Sequence, residues 1–564
     1  MKTPVRRILI GAASGAGASV PLVVTNAAPH ANLILGIVIG AAFVVGLGRL
    51  RRAPVEGTMA ACALGIPLWA VLSCTGIPAL AGRSAELSAQ AMRSHFPALV
   101  GWTLFGCLLG FFSHALCGVA DRIAGPEAVP APPQTGPPKH VLILGGGFAG
   151  MTTAVWLEHE LRRDPSVVVT LVSNQNALLF TPMLAEVAGG SLEPSHISAP
   201  LRTALHRTAF VRGGVEAIDC GRRVVMVALA GGTSGETREI SYDHLVLALG
   251  SVSNYFGAAN IEKHAFDFKT LLDAIRIRNH VIEMFERADA EPDPDIRKAL
   301  VTFVVAGGGF AGVELAGALN DFARGILADY PSVPAADVRI VLVYSRDRIL
   351  PELSESLARY AQARMTARGV EFRLNTRVLD AQAGAVALSD GEIRSQTLAW
   401  TAGTAPNPCL QTTGLAVDKR GAVVVEKTLA VAGHPEIWAL GDCAAVIDGQ
   451  TGKPCPPTAQ FALREGRTRA RNIRRSLQGK EPEAFHFASL GSLCVVGHQT
   501  ACAELTIPFA RSRTLRFSGL LAWMMWRAIY VSKLPGLERK ARVLLDWTFE
   551  LFFPRDIVQT IDLN

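Results

Sequence analysis

The chain changes its hydrophobic rhythm once, near residue 122. Before that point apolar residues run almost unbroken through four stretches, near 8–27, 31–48, 58–81 and 97–119. Each is close to the length a helix needs to cross a bilayer core, so residues 1–122 are predicted to form a module of about four transmembrane helices. Pro67 and Pro78 interrupt the third stretch, as membrane helices tolerate. Residues 123–138, dense in proline, predict a semi-rigid linker. From residue 139 short β-branched runs alternate with stretches of helical period, the pattern of a doubly wound α/β fold. One strand-helix-strand unit is expected at 141–144, 149–162 and 167–172, and a second at 301–306, 311–327 and 338–344.

Both units carry the phrase Gly-Gly-Gly-Phe-Ala-Gly directly after the first strand. Gly145, Gly147 and Gly150, and again Gly307, Gly309 and Gly312, fill the three glycine positions of G-x-G-x-x-G. There the first glycine makes the tight turn, the second admits a pyrophosphate to the backbone, and the third lets helix and strand pack closely. One such motif is weak; two in one chain predict two bound dinucleotides, in two Rossmann-like domains with one inserted in the other.

Composition adds a membrane. Apolar residues make up 49% of the 564, and the net charge is +7. Lys2, Arg6 and Arg7 precede the first stretch, Arg49, Arg51 and Arg52 follow the second, and Arg122 follows the fourth. By the positive-inside rule the N-terminus and the catalytic domain lie on the cytoplasmic side, with Arg83 and Arg93 weighing against. No nucleic-acid module is visible. The ten cysteines contain no CxxC pair, so neither a redox disulfide nor a metal site is expected.

Further motifs surround the fingerprints: FTPML at 180–184, YDHLVLALG at 242–250, GVELA at 312–316, LAWTAGTAP at 398–406 and IWALGDCA at 437–444. With them the chain from about residue 139 to its end resembles the type II NADH dehydrogenases, single-subunit FAD-dependent NADH:quinone oxidoreductases. The resemblance implies FAD on the first fingerprint and NADH or NADPH on the second, with electrons passed to a membrane quinone without proton pumping. It implies an FAD domain at 139–270 and 401–478, an NAD(P)H domain at 271–400, and a C-terminal membrane-docking domain at 479–564. Thr181, Pro182, Gly250, Asp442 and Ala459 would contact FAD, Asp442 at the ribityl chain. Glu314 matches the glutamate near the nicotinamide. Residues 459–466, AQFALREG, resemble the family's AQxAxQxG helix, so Gln460 would face the quinone head group, while Arg464 replaces a glutamine.

Two positions depart from a dinucleotide fold, which ends its second strand on an acid that binds the ribose. Here the first unit offers Ser173 and Asn174, and the second Tyr344, Ser345 and Arg346. The missing carboxylate and Arg346 would admit a 2'-phosphate, so NADPH is expected to serve at least as well as NADH. Residues 517–531 carry aromatic and basic residues and predict a helix lying in the membrane interface, with Trp547, Phe549, Phe552 and Phe553 as a second anchor. The expected location is the bacterial inner membrane, with a lipid bilayer and a quinone as partners; a homodimer stays open. One rival is a sulfide:quinone oxidoreductase working through Cys409, Cys443 or Cys455; another is an FAD protein without turnover whose membrane module does the work.

Overall fold

A computed structural model describes residues 3–25, 29–46, 58, 61–62, 65, 68–69, 72–73, 96–124, 137–162, 164–230, 236–507 and 510–559. The chain divides into two compact units, Met1–Pro130 and Ala131–Asn564.

In the first unit, α1 (Thr3–Ala18), α2 (Val20–Thr25), α3 (Pro29–Gly46) and α4 (Phe96–Ala124) are helical. Glycines let α1 and α3 touch backbone to backbone: a Cβ on Gly15 would lie 2.0 Å from the Gly36 carbonyl oxygen, and one on Gly40 2.3 Å from that of Gly11. The first predicted span is broken at Ser19, just before Pro21, whose ring cannot continue the helix. Among the described residues only Ala98–Val119 is long and apolar enough to cross a membrane; Ile8–Ala18 and Asn32–Val45 are shorter apolar helices. Most of the third predicted span, and the linker, lie outside the described residues. Trp102, Phe105 and Leu109 are buried, whereas Ile34, Val38 and Phe111 point outward.

The second unit is built on two sheets, one with a parallel centre and antiparallel edges and one all parallel. β1 (Lys139–Leu144), α5 (Phe148–Glu160) and β2 (Val167–Ser173) form the first predicted unit, its ends within a few residues of expectation. With β3 (Ala209–Asp219), β4 (Val224–Leu229), β5 (Thr237–Ser241), β6 (His244–Leu247), β11 (Ala430–Val431) and β12 (His434–Ala439) they give an eight-stranded sheet ordered β11-β12-β6-β1-β2-β3-β4-β5. Val141 to Leu144 are wholly buried at its centre. The second sheet is ordered Phe266–Asp267, β10 (Thr397–Trp400), β7 (Thr302–Ala306), β8 (Arg339–Val343), β9 (Val370–Arg373), with α6 (Leu271–Ala290) and α7 (Phe310–Gly325) in the same stretch of sequence. All its strands come from between β6 and β11, so the second sheet is an insertion within the first.

After α8 (Ala459–Leu477), an antiparallel sheet of β13 (Gly491–Gly497), β14 (Thr500–Ile507) and β15 (Ala510–Gly519) carries α9 (Leu520–Lys533) and α10 (Leu537–Phe549). α9 is two-sided: Ala522, Trp523 and Trp526 are buried, while Leu520, Leu521 and Met524 are each more than half exposed. Trp547, expected as an anchor, is instead 4% exposed inside the core; Phe549, Phe552 and Phe553 do point outward.

Candidate functional site

Each fingerprint builds a backbone cradle. Gly145 and Gly307 turn at φ +107° and +120°, a region that side chains disfavour. A Cβ on Gly150 would sit 1.9 Å from the Gly145 oxygen, and one on Gly312 the same distance from that of Gly307, so only glycine lets each helix start this close to its strand. Above Gly147 nothing lies within 4 Å. Neither α5 nor α7 has a side-chain cap at its N-terminus. Two helix starts are thus left with unpaired N–H groups, the arrangement that binds a pyrophosphate.

At the ends of the second strands the structure places the departures side by side with the cradles. Ser173 is buried with its Oγ beneath Gly146, and Asn174 is exposed. The Tyr344 ring lies directly under Gly308, filling the place of the expected acid. Ser345 and Arg346 are exposed, and among the described residues Arg346 forms no ion pair.

Asp442 emerges from β12 in the turn Gly441–Cys443. The Ser251 hydroxyl donates to its Oδ2 at 2.7 Å. From the other side Glu465 of α8 accepts the Gly441 N–H at 2.7 Å; burial pushes this carboxyl up to about 7. Ser251, Asp442, Thr458, Phe461 and Glu465 line one cavity. Ala459, next to Thr458, starts α8, and Gly250, at φ +67°, directly precedes Ser251. These residues fit FAD: an open cradle at Gly147, a hydroxyl at Ser173 and a carboxylate at the end of the strand next to β6. Neither Ser251, which directly follows the 242–250 motif, nor Glu465, which lies within AQFALREG, carries a signal of its role in the sequence.

Pro182 and Glu314 line a second cavity with Glu186, Trp526, Arg527 and Glu550, while Thr181 is exposed beside it. Glu314 Oε1 accepts the Val495 N–H at 3.2 Å, and burial pushes its carboxyl up to about 8. Because the native state keeps a proton that an unfolded glutamate of pKa 4.5 releases, stability falls as pH rises from about 5 to 8. Glu314→Gln should flatten that slope by up to about 1.4 kcal/mol per pH unit. Denaturant melts at pH 5.5 and 7.5 check this; equal slopes in both proteins would contradict it.

Gln460 commits both ends of its amide to backbone: Nε2 donates to Gly491 O at 3.2 Å and Oε1 accepts Leu490 N–H at 2.8 Å. It ties α8 to the start of β13. Arg464 lies over the Phe487 ring at 5.2 Å. Farther along α8, Arg469 is fully buried 4.0 Å over the Trp438 ring. Among the described residues no cluster of three or more His, Cys, Asp or Glu could hold a metal.

Residues 139–466 match the family described as pyridine nucleotide-disulphide oxidoreductase, and residues 489–556 match the NDH2 C-terminal domain. The type II NADH:quinone oxidoreductase Ndh of Mycobacterium tuberculosis is 30% identical over 434 residues, spanning 74% of this chain and 89% of that protein. The type II NADH:quinone oxidoreductase of Staphylococcus aureus is 30% identical over 367 residues, 64% of this chain and 88% of the other. Among solved structures, NDH2 from Plasmodium falciparum in complex with NADH superposes with TM-score 0.68 at 17% identity, covering 74% of this chain and 99% of that one. The sulfide:quinone oxidoreductase of Aquifex aeolicus gives 0.56 at 19%, covering 74% and 95%. At such identities the superpositions establish the shared fold.

Proposed function

The chain belongs to the type II NADH:quinone oxidoreductases, and from that membership and the geometry of its two cradles we propose that it oxidises NADH or NADPH through FAD and reduces a membrane quinone. The observation that carries this is the pair of uncapped helix starts, one in each of two nested sheets. Bound FAD supplies the acceptor for hydride and the donor to quinone. The N–H groups at the start of α5 hold its pyrophosphate, Ser173 its ribose hydroxyl, and Asp442 its ribityl chain. The start of α7 holds the pyrophosphate of the nicotinamide coenzyme. Alignment of two bound rings does the catalytic work, so no acid-base triad is needed. Glu314, protonated near neutral pH, holds a proton on the nicotinamide side. Gln460 acts on the quinone side by fixing α8 rather than by touching the head group.

Arg346 and the absent acid at Tyr344 favour NADPH. The expected result is kcat/KM for NADPH at least equal to that for NADH. Arg346→Ala should lower the NADPH value about tenfold, the scale of one charge-assisted hydrogen bond, and leave NADH nearly unchanged. Strong wild-type preference for NADH would contradict this.

Leu520, Leu521, Met524 and Phe552, exposed beside Arg516 and Lys533, rest on the bilayer in this reading, and the N-terminal helices anchor the chain in the bacterial inner membrane. A sulfide donor would need a reactive thiolate. Burial instead pushes Cys443 and Cys455 up to about 12. A steady-state assay crossing NADH, NADPH and sulfide with soluble quinones tests the reading. Turnover with a nicotinamide coenzyme is expected; turnover with sulfide alone would overturn it, and FAD binding without any turnover would favour the non-catalytic rival.

A further inference from the structure

Lys269 sits just before α6, in the segment that carries the chain from the first sheet into the second. No motif marks it. Its Nζ donates to Ser251 Oγ at 2.6 Å, and Ser251 in turn meets Asp442 Oδ2 at 2.7 Å. An ammonium group can only donate, and a serine hydroxyl owns one proton. Ser251 must therefore accept from Lys269 and give its proton to Asp442. The direction of donation is fixed by the chemistry of the three groups: lysine to serine, and serine to aspartate.

The lysine is held for this task. Its backbone N–H donates to Asp273 Oδ2 at 3.0 Å, and Asp273 also closes the capping box with Thr270 that starts α6. Ser251 is held as well, because Ser251–Ser253 pairs with Thr404–Pro406 across the second crossover between the sheets. The charged groups that face the ammonium are Asp442, Asp267 and Asp273. Asp267 is taken by the Tyr255 hydroxyl at 2.5 Å, and Asp273 by the helix start. Asp442 is left as the carboxylate that Lys269 serves. With Oδ2 filled by Ser251, Asp442 Oδ1 takes no hydrogen bond among the described residues.

We propose that Lys269 is a positioning residue for FAD: through Ser251 it fixes the orientation of the Asp442 carboxylate, leaving one oxygen free to accept from a ribityl hydroxyl. Resting on the FAD reading above, this adds a residue from the crossover segment to the flavin site. It also links FAD binding to the geometry of the joint between the two sheets, since Lys269 and Ser251 both lie on the first crossing segment and Ser251–Ser253 pairs with Thr404–Pro406 of the second.

The test is titration of apoprotein with FAD, followed by flavin fluorescence, for wild type, Lys269→Met, Lys269→Arg, Ser251→Ala and the Lys269→Met/Ser251→Ala double variant. Lys269→Met should weaken FAD about tenfold to a hundredfold, the scale of a lost hydrogen bond to a charged group. Lys269→Arg should recover much of the loss. Because the lysine acts through the serine, the double variant should bind no worse than the weaker single variant. Additive losses would overturn the relay, as would Lys269→Met binding FAD like wild type. A loss of apoprotein melting temperature with unchanged FAD affinity would assign Lys269 a purely structural role, and Ser251→Ala decides the matter if Lys269→Met fails to fold. A wild-type protein that binds no FAD would instead defeat the FAD reading itself.

Discussion

Gly312→Ala is expected to leave FAD bound while abolishing its reduction by NADH or NADPH. The added methyl would sit 1.9 Å from the Gly307 oxygen and 2.6 Å from Thr401 Oγ1, both fixed parts of the second cradle. Relief requires the start of α7 to back away from β7, taking the pyrophosphate-binding N–H groups with it. Overpacking against backbone costs about 3 kcal/mol, which is at least about a hundredfold in the rate of flavin bleaching at subsaturating coenzyme. The first cradle supplies the control. Gly150→Ala meets the Gly145 oxygen at the same 1.9 Å and should instead release FAD. Absorbance of the purified variants and anaerobic bleaching by NADH separate the two outcomes. If Gly312→Ala lost FAD, or Gly150→Ala kept it, the assignment of cofactors to cradles would be wrong.

The second large effect is expected at Arg527. Its guanidinium lies 3.8 Å over the Trp523 ring and 4.5 Å over that of Trp547, and pairs with Glu550 at 2.8 Å and Glu186 at 4.0 Å. Arg555 completes the group by pairing with Glu550 at 3.1 Å. All these charges are mostly buried, so Arg527→Met leaves two carboxylates with half their compensation. Removing one partner of a buried network costs about 3–5 kcal/mol. The loss should be localised: α9 and α10 detach from the segment that carries Glu186 and Ser191, and protease cuts after residue 519 much faster than in wild type. Adding Glu186→Gln, which removes the carboxylate left without its ion pair, should recover part of the stability. Equal proteolysis of wild type and Arg527→Met would show that packing of the tryptophans alone holds the C-terminal helices.

Local pattern carried the sheets and the cradles. Apolar period placed β1, α5, β2, β7, α7 and β8 within a few residues, because each is a strand-turn-helix whose glycines and buried runs are adjacent in sequence. What escaped depends on partners far along the chain. Arg469 looks like a solvated residue on a basic helix, yet Trp438 and the Thr428 carbonyl bury it. Gln460 looks like a ligand-facing amide, yet the backbone at Leu490 and Gly491 takes both its ends. Trp547 looks like an interfacial anchor, yet its Nε1 donates to Glu186 at 3.0 Å inside the core. Lys269 and Ser251 meet across 18 residues, and Ser251 and Asp442 across 191. Hydropathy period reports which face of an element is buried; it says nothing of which polar groups find one another there.

The most direct test of the whole account is an anaerobic two-step reaction on the FAD-loaded full-length protein in detergent. One equivalent of NADH or NADPH should bleach the flavin absorbance, and a subsequent equivalent of quinone should restore it, with oxygen absent throughout. Flavin that neither coenzyme bleaches, or that stays bleached when quinone is added, would contradict the reading of this chain as a nicotinamide:quinone oxidoreductase.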